Sequence, residues 1–163
     1  DQILDDLGYN LPDDYLSKNL DYYLARTSHG STLSRVVHAQ LADMAGDAEL
    51  SWTLYSDALS SDYNDIQGGT TAEGIHAGVM SGTVMIAMYT YAGVDFRGDT
   101  LLIEPSMPKQ WKRMVFQLKF KNVHYKLNIS ADKIHIFADA DTQVKVLDTT
   151  YQIQAHQPAE INY

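Results

Sequence analysis

Hydroxyl, imidazole and glycine residues cluster in two short segments of the chain, each directly before an apolar stretch. The first segment, TSHGSTLS, spans residues 27–34, and the second, GGTTAEGIH, spans residues 68–76. Both are expected to be loops that open helices, where unpaired backbone N–H groups and the positive end of the helix dipole attract anions. Side by side, the two loops would surround one anion. Singly, each would be an ordinary N-cap, since Ser and Thr are favoured there.

Three side chains in these loops could take part in binding or acid–base chemistry. His29 lies at the tip of the first loop, and His76 lies about one turn into the second helix. Glu73 is the one carboxylate within the two segments, so it is either a general acid or base or a helix-start residue favoured by the dipole. The remaining candidates are expected to be solvated or structural: Asp62, Asp65, His38, His124 and His135. No spacing of His, Asp or Glu is typical of a metal site, so no metal is expected.

The composition indicates a globular protein and argues against two classes of partner. Of 163 residues, 45% are hydrophobic and 20% are charged, which is typical of a folded domain. The net charge is −9, and residues 1–98 carry 4 basic against 14 acidic side chains, so no nucleic acid partner is expected. An acidic surface of this kind is compatible with a neutral ligand such as a sugar, or is simply solvated.

The same composition bears on location. The chain contains no Cys, which excludes a disulfide framework or a thiolate metal site and suits a cytoplasmic protein. No apolar run approaches the roughly 18 residues of a membrane span. A cytoplasmic protein without a membrane partner is therefore expected.

The spacing of apolar residues predicts four helices in the first 98 residues. The first begins near Pro12, the second covers residues 31–45, the third is capped by Asp47, and the fourth covers residues 72–91. The apolar side of the second helix is expected to contain Val37, Leu41 and Met44.

The hydrophobic period changes after residue 98. The segments MVFQLKFKN, HYKLNIS and KIHIFAD alternate apolar and polar residues, as half-buried antiparallel strands do. Val115, Leu118 and Phe120 cannot share one face under strict alternation, so a β-bulge is expected near residues 116 and 117. The predicted fold is α+β, with a helical domain over residues 1–98 and a linker with a small antiparallel β-sheet domain over residues 99–163.

The fourth predicted helix is almost uniformly small or apolar, which is typical of a helix with neighbours on every side. Either the helical half belongs to a larger helical body and the chain is a fragment, or this helix is the centre of a self-contained bundle. An open body would expose large apolar surfaces, which are rare on soluble monomers. The first alternative therefore predicts self-association, for example as a symmetric homodimer.

Three motifs in succession resemble those of glycoside hydrolase family 65. They are R-TSHGSTLS-VVHA, then GGTTAEGIH-G-MSGT, then an L-I-P-MP--W pattern that leads into the strands. The resemblance extends from about Leu20 to the strands after Trp111, and the family contains inverting phosphorylases and hydrolases of trehalose, maltose, kojibiose and related α-glucosides. It implies that residues 1–98 are the last helices of an (α/α)6 barrel and that residues 99–163 are the small C-terminal β-sheet domain.

The resemblance also implies roles for particular residues. The positions matching the phosphate-facing loop are His29, Gly30, Ser31 and Thr32, and His76 matches the histidine opposite. The general acid glutamate, and a Lys-Gln pair that shapes the sugar site, would lie upstream of Asp1, so the chain alone is expected to be inactive. Inorganic phosphate is the implied co-substrate and an α-glucoside disaccharide the implied substrate, with no other cofactor. In a hydrolase, Glu73 would instead be the base that activates water.

A non-catalytic carbohydrate-binding or interaction module is the alternative function. Such a module would stack sugars on exposed aromatic side chains, for which Tyr125, Tyr151 and Tyr163 are available. Trp111 lies in the predicted linker, and the sequence shows no clear aromatic platform.

Overall fold

The computed structural model describes residues 2–28, 31–65, 72 and 74–163. The chain forms two compact units, Asp1–Thr83 and Val84–Tyr163. The first is helical and the second is built mainly of strands, so the α+β fold predicted from the sequence is confirmed. The units divide between residues 83 and 84, and strand pairing begins at Val94. The assignment of domains to residues 1–98 and 99–163 stays a prediction.

Five α-helices lie in the described part of the chain. They are α1 (Gln2–Asp6), α2 (Tyr15–Leu24), α3 (Thr32–Met44), α4 (Ala48–Asn64) and α5 (Ala77–Met85), and a π-helical segment, Ile86–Tyr91, continues α5. The four predicted helices correspond to α2–α5, and α1 is a short addition to them. Within the described residues, no helix is both long enough and apolar enough to cross a membrane.

Local sequence signals set the starts of α3 and α4. The Ser31 hydroxyl accepts a hydrogen bond from the backbone N–H of Leu33 at 3.3 Å, and the Asp47 carboxylate accepts one from Leu50 at 2.9 Å. Both residues are N-caps, as polar side chains at helix starts predict. Gly46, between the helices, has φ +82°, a left-handed conformation that glycine adopts readily after a helix end.

α3 and α4 form an antiparallel helix hairpin, since only residues 45–47 connect them. Arg35 Nε lies 3.7 Å from Asp57 Oδ2, which sets the first half of α3 beside the second half of α4. The buried apolar residues of the two helices are Val36, Ala39, Ala42, Leu54, Tyr55 and Ala58. α5 approaches α3 closely at Gly82, where a Cβ would come within 2.8 Å of Val36 Cγ1.

Two apolar helix faces are exposed in this chain. Leu33, Val37 and Met44 lie along one side of α3 and are 50%, 50% and 57% exposed. Val84 and Met85, at the end of α5, are also exposed, which favours a helical half that belongs to a larger body over a self-contained bundle with this helix at its centre. The apolar spacing identifies which side of a helix is apolar, but burial depends on whether a neighbour packs against that side.

The second unit contains two four-stranded sheets. Its strands are β1 (Val94–Asp95), β2 (Leu101–Ile103), β3 (Arg113–Phe120), β4 (Val123–Ser130), β5 (Lys133–Ala138), β6 (Thr142–Val146), β7 (Thr149–Ile153) and β8 (Ala159–Asn162). One sheet has the strand order β1-β2-β6-β7 and the other has the order β3-β4-β5-β8. All pairs are antiparallel except β2 and β6, which are parallel, a pairing that alternation alone does not predict.

β3 pairs with β4 without interruption, from Arg113 opposite Ser130 to Phe120 opposite Val123. The predicted bulge near residues 116 and 117 is therefore wrong. Val115 instead points to the exposed face, because alternation along β3 is strict. The strands are joined by the two-residue turn Lys121 and Asn122, with φ +46° and +67°, as in a type I′ hairpin.

Strand side chains from both sheets form the core of the second unit. Its fully buried members include Leu101, Ile103, Leu127, Ile129, Ile134, Ile136 and Val144. At the entry to β1, the backbones of Gly93 and Glu104 come so close that a Cβ on residue 93 would lie 1.8 Å from the Glu104 oxygen. Only glycine fits at position 93, because any Cβ would clash with Glu104. The φ of +63° at this position is a second reason, since it is unfavourable for other residues.

Candidate functional site

The second of the two hydroxyl-rich loops ends at His76, which is hydrogen-bonded to Asp62. His76 Nδ1 lies 2.5 Å from Asp62 Oδ1, and the His76 backbone N–H donates to Asp62 Oδ2 at 2.8 Å. Asp62 lies in the last turn of α4, and His76 directly precedes α5. The side chains are 15% exposed for Asp62 and 32% for His76, so the pair is partly sheltered while the imidazole stays accessible.

The protonation of this pair follows from its hydrogen bonds. The hydrogen bond from the His76 ring holds the pKa of the Asp62 carboxyl below its usual value of 3.8. An ionised carboxylate only accepts hydrogen bonds, so His76 Nδ1 carries the hydrogen. Nε2 is then the ring nitrogen left for a ligand: it accepts in the neutral ring and donates in the imidazolium.

The end of the first loop, from Ser31 onward, forms the start of α3. Ser31 is exposed there, and its backbone carbonyl oxygen accepts a hydrogen bond from the Ser34 hydroxyl at 2.7 Å. The Thr32 side chain is buried. Of the two predicted phosphate-binding hydroxyls, Ser31 is therefore the one presented at the surface, and the binding role of both stays a prediction.

Three predicted site residues lie outside the described residues: His29, Gly30 and Glu73. Their predicted roles, phosphate binding for His29 and Gly30 and general base for Glu73, stay predictions. Among residues 2–28, 31–65, 72 and 74–163, no group of three or more His, Asp or Glu side chains could hold a metal ion.

Two histidines other than those of the loops have the positions of structural residues. His38 is buried in α3, and its Nδ1 lies 2.7 Å from the Ser34 carbonyl oxygen. His135 on β5 has Nδ1 3.6 Å from Glu160 Oε2 on the neighbouring β8. Each histidine therefore interacts with its own helix or sheet, as expected for a structural residue.

The tyrosines considered as a sugar-stacking platform serve the core of the second unit. Tyr125 is buried, and its hydroxyl lies 2.7 Å from Thr142 Oγ1. Tyr163 is partly buried and donates its hydroxyl hydrogen to the Ser130 carbonyl at 2.5 Å. Tyr151 also packs against the core. These positions favour a structural role over a carbohydrate platform.

Asp62 is the site residue that the sequence analysis misses. The expectation that it is a solvated loop acid is wrong, because α4 extends to Asn64 and Asp62 binds His76. A signal was available in the helical spacing. The buried face of α4 contains Leu54, Ala58 and Ser61, and Asp62 continues that face by one more turn.

The sequence matches two family models in chain order. Residues 2–85 match the glycosyl hydrolase family 65 central catalytic domain, and residues 94–153 match the glycosyl hydrolase family 65 C-terminal domain. A trehalose 6-phosphate phosphorylase from Lactococcus lactis subsp. lactis is 40% identical over 154 residues, which are 94% of this chain and 20% of that protein. An α,α-trehalose phosphorylase from Geobacillus stearothermophilus is 25% identical over 144 residues, which are 87% of this chain and 19% of that protein.

A solved structure has the same fold. It is described as a putative kojibiose phosphorylase from the human microbiome, and it matches with a TM-score of 0.79 at 25% identity, over 94% of this chain and 22% of that chain. The chain thus spans about a fifth of the length of these relatives. Its helical and strand-rich parts match the two family models in turn, and the chain belongs to glycosyl hydrolase family 65.

Proposed function

We propose that this chain is part of an inverting disaccharide phosphorylase, and that it supplies the phosphate side of the active site. The reaction is cleavage of an α-glucoside disaccharide by inorganic phosphate. Membership of family 65 supports the enzyme class, and the relatives above are named as phosphorylases of trehalose 6-phosphate, trehalose and kojibiose.

The observation that carries the proposal is the position of His76 at one end of the α3–α4 hairpin. Arg35 lies beside Asp57 in this antiparallel pair. Asp62 follows Asp57 by five residues along α4. Because the two helices are antiparallel, Asp62 lies beside the part of the chain about five residues before Arg35, which is near the start of α3. His76, which is bonded to Asp62, is therefore assigned to the same end of the hairpin as Ser31.

This end of the hairpin suits phosphate for physical reasons. The N-terminus of α3 lies at this end of the hairpin, where the helix dipole is positive and attracts anions. The exposed Ser31 hydroxyl can donate a hydrogen bond, and so can the imidazolium of His76 through Nε2. Phosphate brings its own nucleophilic oxygen, so the protein has only to hold and orient it.

The proposed step is an in-line displacement. A phosphate oxygen attacks the anomeric carbon from the face opposite the leaving sugar, and a carboxylic acid protonates the leaving oxygen as its bond to that carbon breaks. An α-glucoside then yields β-glucose 1-phosphate. The acid in this proposal is a glutamate of the intact enzyme outside these 163 residues, so the 163-residue chain is proposed to be inactive by itself. A cytoplasmic location goes with this reaction, since the charged product does not cross a membrane.

A hydrolase would need a carboxylate base in place of phosphate, with Glu73 in that role. The described end of the second loop instead presents an imidazole bonded to the Asp62 carboxylate, both of whose oxygens accept hydrogen bonds from His76. A carboxylate held in this way is not poised to activate water, and the imidazole favours an anion. The alternative of a carbohydrate-binding module has less support, because Tyr125 is buried and Tyr151 packs against the core.

The proposal is tested by the phosphate dependence of the intact enzyme that contains this chain. Trehalose, trehalose 6-phosphate, kojibiose and maltose are incubated with and without phosphate, and the anomer of glucose 1-phosphate is identified by proton NMR. We expect the β anomer, formed only with phosphate. The 163-residue chain alone should release none, because loss of an acid catalyst costs on the order of 10²–10⁴ in rate. Release of free glucose without phosphate would contradict the proposal.

Two matched N-cap variants test the phosphate end itself. Ser31→Ala should raise the KM for phosphate about tenfold, since a hydrogen bond to a charged group contributes roughly 1.5 kcal/mol or more. Asp47→Ala removes the corresponding cap at the opposite end of the hairpin. It should lower the free energy of unfolding by about 1 kcal/mol and leave the KM for phosphate unchanged. Equal effects of the two variants on this KM would contradict the assignment of the phosphate end.

A further inference from the structure

One carboxylate makes hydrogen bonds through both of its oxygens to a single residue across a 14-residue separation. Asp62 Oδ1 takes the ring hydrogen of His76, and Oδ2 takes its backbone hydrogen. The two bonds fix different parts of the histidine. The backbone bond sets where the Cα of His76 lies relative to α4, and the ring bond sets the rotation of the imidazole.

We infer that Asp62 is a positioning residue for phosphate, acting through His76; this inference rests on the proposed function. Because Asp62 takes the hydrogen on Nδ1, Nε2 is the ring nitrogen that remains for a ligand. A ring held in this rotation presents Nε2 to a phosphate oxygen. Asp62 itself touches neither phosphate nor sugar.

The partial burial of the pair makes this orientation effective. The Asp62 side chain is only 15% exposed, so few water molecules reach its carboxylate. Water therefore competes little with the His76 ring for hydrogen bonds to Asp62. The geometry is therefore established before phosphate binds, and the cost of ordering the imidazole is not taken from the binding free energy.

A second pair in the chain has the same geometry and provides a matched control. His124 donates its backbone N–H to Asp139 Oδ1 at 2.8 Å and has Nδ1 2.7 Å from Asp139 Oδ2. This pair lies in the second unit, on β4 and just after β5, with side chains 63% and 39% exposed. Substitution of Asp139 therefore removes the same kinds of hydrogen bond in a unit that contains neither loop.

The test compares Asp62→Asn with Asp139→Asn in the intact enzyme, and measures KM separately for phosphate and for the disaccharide. Asp62→Asn should raise the KM for phosphate by about tenfold to a hundredfold, by analogy with the loss of a carboxylate that orients a metal-binding histidine. The KM for the disaccharide should stay within about twofold. Asp139→Asn should change neither. In a His76→Gln background, Asp62→Asn should cause no further change in the KM for phosphate, because its effect passes through the imidazole.

A spectroscopic readout reports on the ring directly. In the 15N-histidine-labelled chain, His76 Nδ1 should carry hydrogen in the native protein and lose part of it in Asp62→Asn. The inference is overturned if the KM for phosphate and the ring nitrogens are unchanged, or if the KM for the disaccharide rises as much as the KM for phosphate. It is likewise overturned if Asp62→Asn still acts in the His76→Gln background. A native enzyme without phosphate dependence overturns the proposed function instead, and the ring-nitrogen result identifies that case.

Discussion

The charge of Asp62 stabilises the folded chain in a pH-dependent way. The His76 ring hydrogen bond, its largest cause, lowers the pKa of this carboxyl from 3.8. A carboxyl whose pKa is lower in the folded state stabilises that state above its unfolded pKa, and the effect is lost as pH falls through the folded pKa. The free energy of unfolding of the native chain should therefore exceed that of Asp62→Asn at pH 7, and the difference should shrink below about pH 4.

Urea unfolding of both chains at several pH values between about 7 and 2 measures this difference. The variant is matched in shape, so that the comparison isolates the charge and one acceptor oxygen. A difference that stays constant down to about pH 2 would show that the His76 hydrogen bonds add nothing to the ionised form of Asp62.

The sequence predicts one half of the candidate site and misses the other half for a physical reason. Ser31 and His76 are recognisable because a hydroxyl-rich loop before an apolar helix has local signals. Asp62 acquires its role only when α4 and the start of α5 come together, 14 residues apart in the chain. The spacing of residues along the chain does not predict the contact between Asp62 and His76. It predicts only that Asp62 is partly buried, because Asp62 continues the buried face of α4.

Two glycines in α5 should respond in opposite ways to alanine. At Gly82 a Cβ would lie 2.8 Å from Val36 Cγ1, so Gly82→Ala should force α5 away from α3 and lower the free energy of unfolding by about 1–3 kcal/mol. At Gly78 a Cβ would meet no neighbouring element of the described chain within 4 Å, so Gly78→Ala should raise it by up to about 1 kcal/mol through helix propensity. Thermal unfolding of the two variants measures the contrast, and stabilisation by both would exclude the close contact of α5 with α3.

The sequence predicts where helices and strands begin and end better than it predicts which of their faces are buried and which strands pair. Caps at Ser31 and Asp47 and the glycine at position 46 act within a few residues, so their signals are complete in the sequence. The exposed side of α3, the regular β3–β4 ladder and the parallel β2–β6 pair depend on distant partners. Each of these is set by packing that hydrophobic period alone does not specify.

Self-association through the helical unit stays a prediction, and the exposed apolar side chains of this unit are the reason to expect it. Large exposed apolar side chains of the described residues include Ile3, Leu7, Tyr22, Tyr23, Leu33, Val37 and Met44, all in this unit. The chain should therefore sediment as a dimer or larger species at tens of micromolar, with the strand-rich unit outside the contact. A monomer under these conditions would favour the self-contained bundle.

Two valine substitutions locate the contact. Val37 on α3 is 50% exposed and Val115 on β3 is 63% exposed, so a lysine at either position creates no buried charge. Val37→Lys should weaken the association, and Val115→Lys should leave it unchanged. If Val115→Lys has the larger effect in sedimentation, the contact lies on the sheet and the helical surface is not responsible.

The parallel pairing of β2 with β6 imposes an order on the folding of the strand-rich unit. β3, β4 and β5 lie between these partners in the chain and pair with one another through short turns, so they close rapidly. β2 has to wait until about 40 more residues have been synthesised before its partner exists, and joining them closes a long loop. During synthesis, β3, β4 and β5 therefore pair while the other sheet still consists of β1 and β2 alone. The slower step in maturation of this unit is the pairing of β6 with β2.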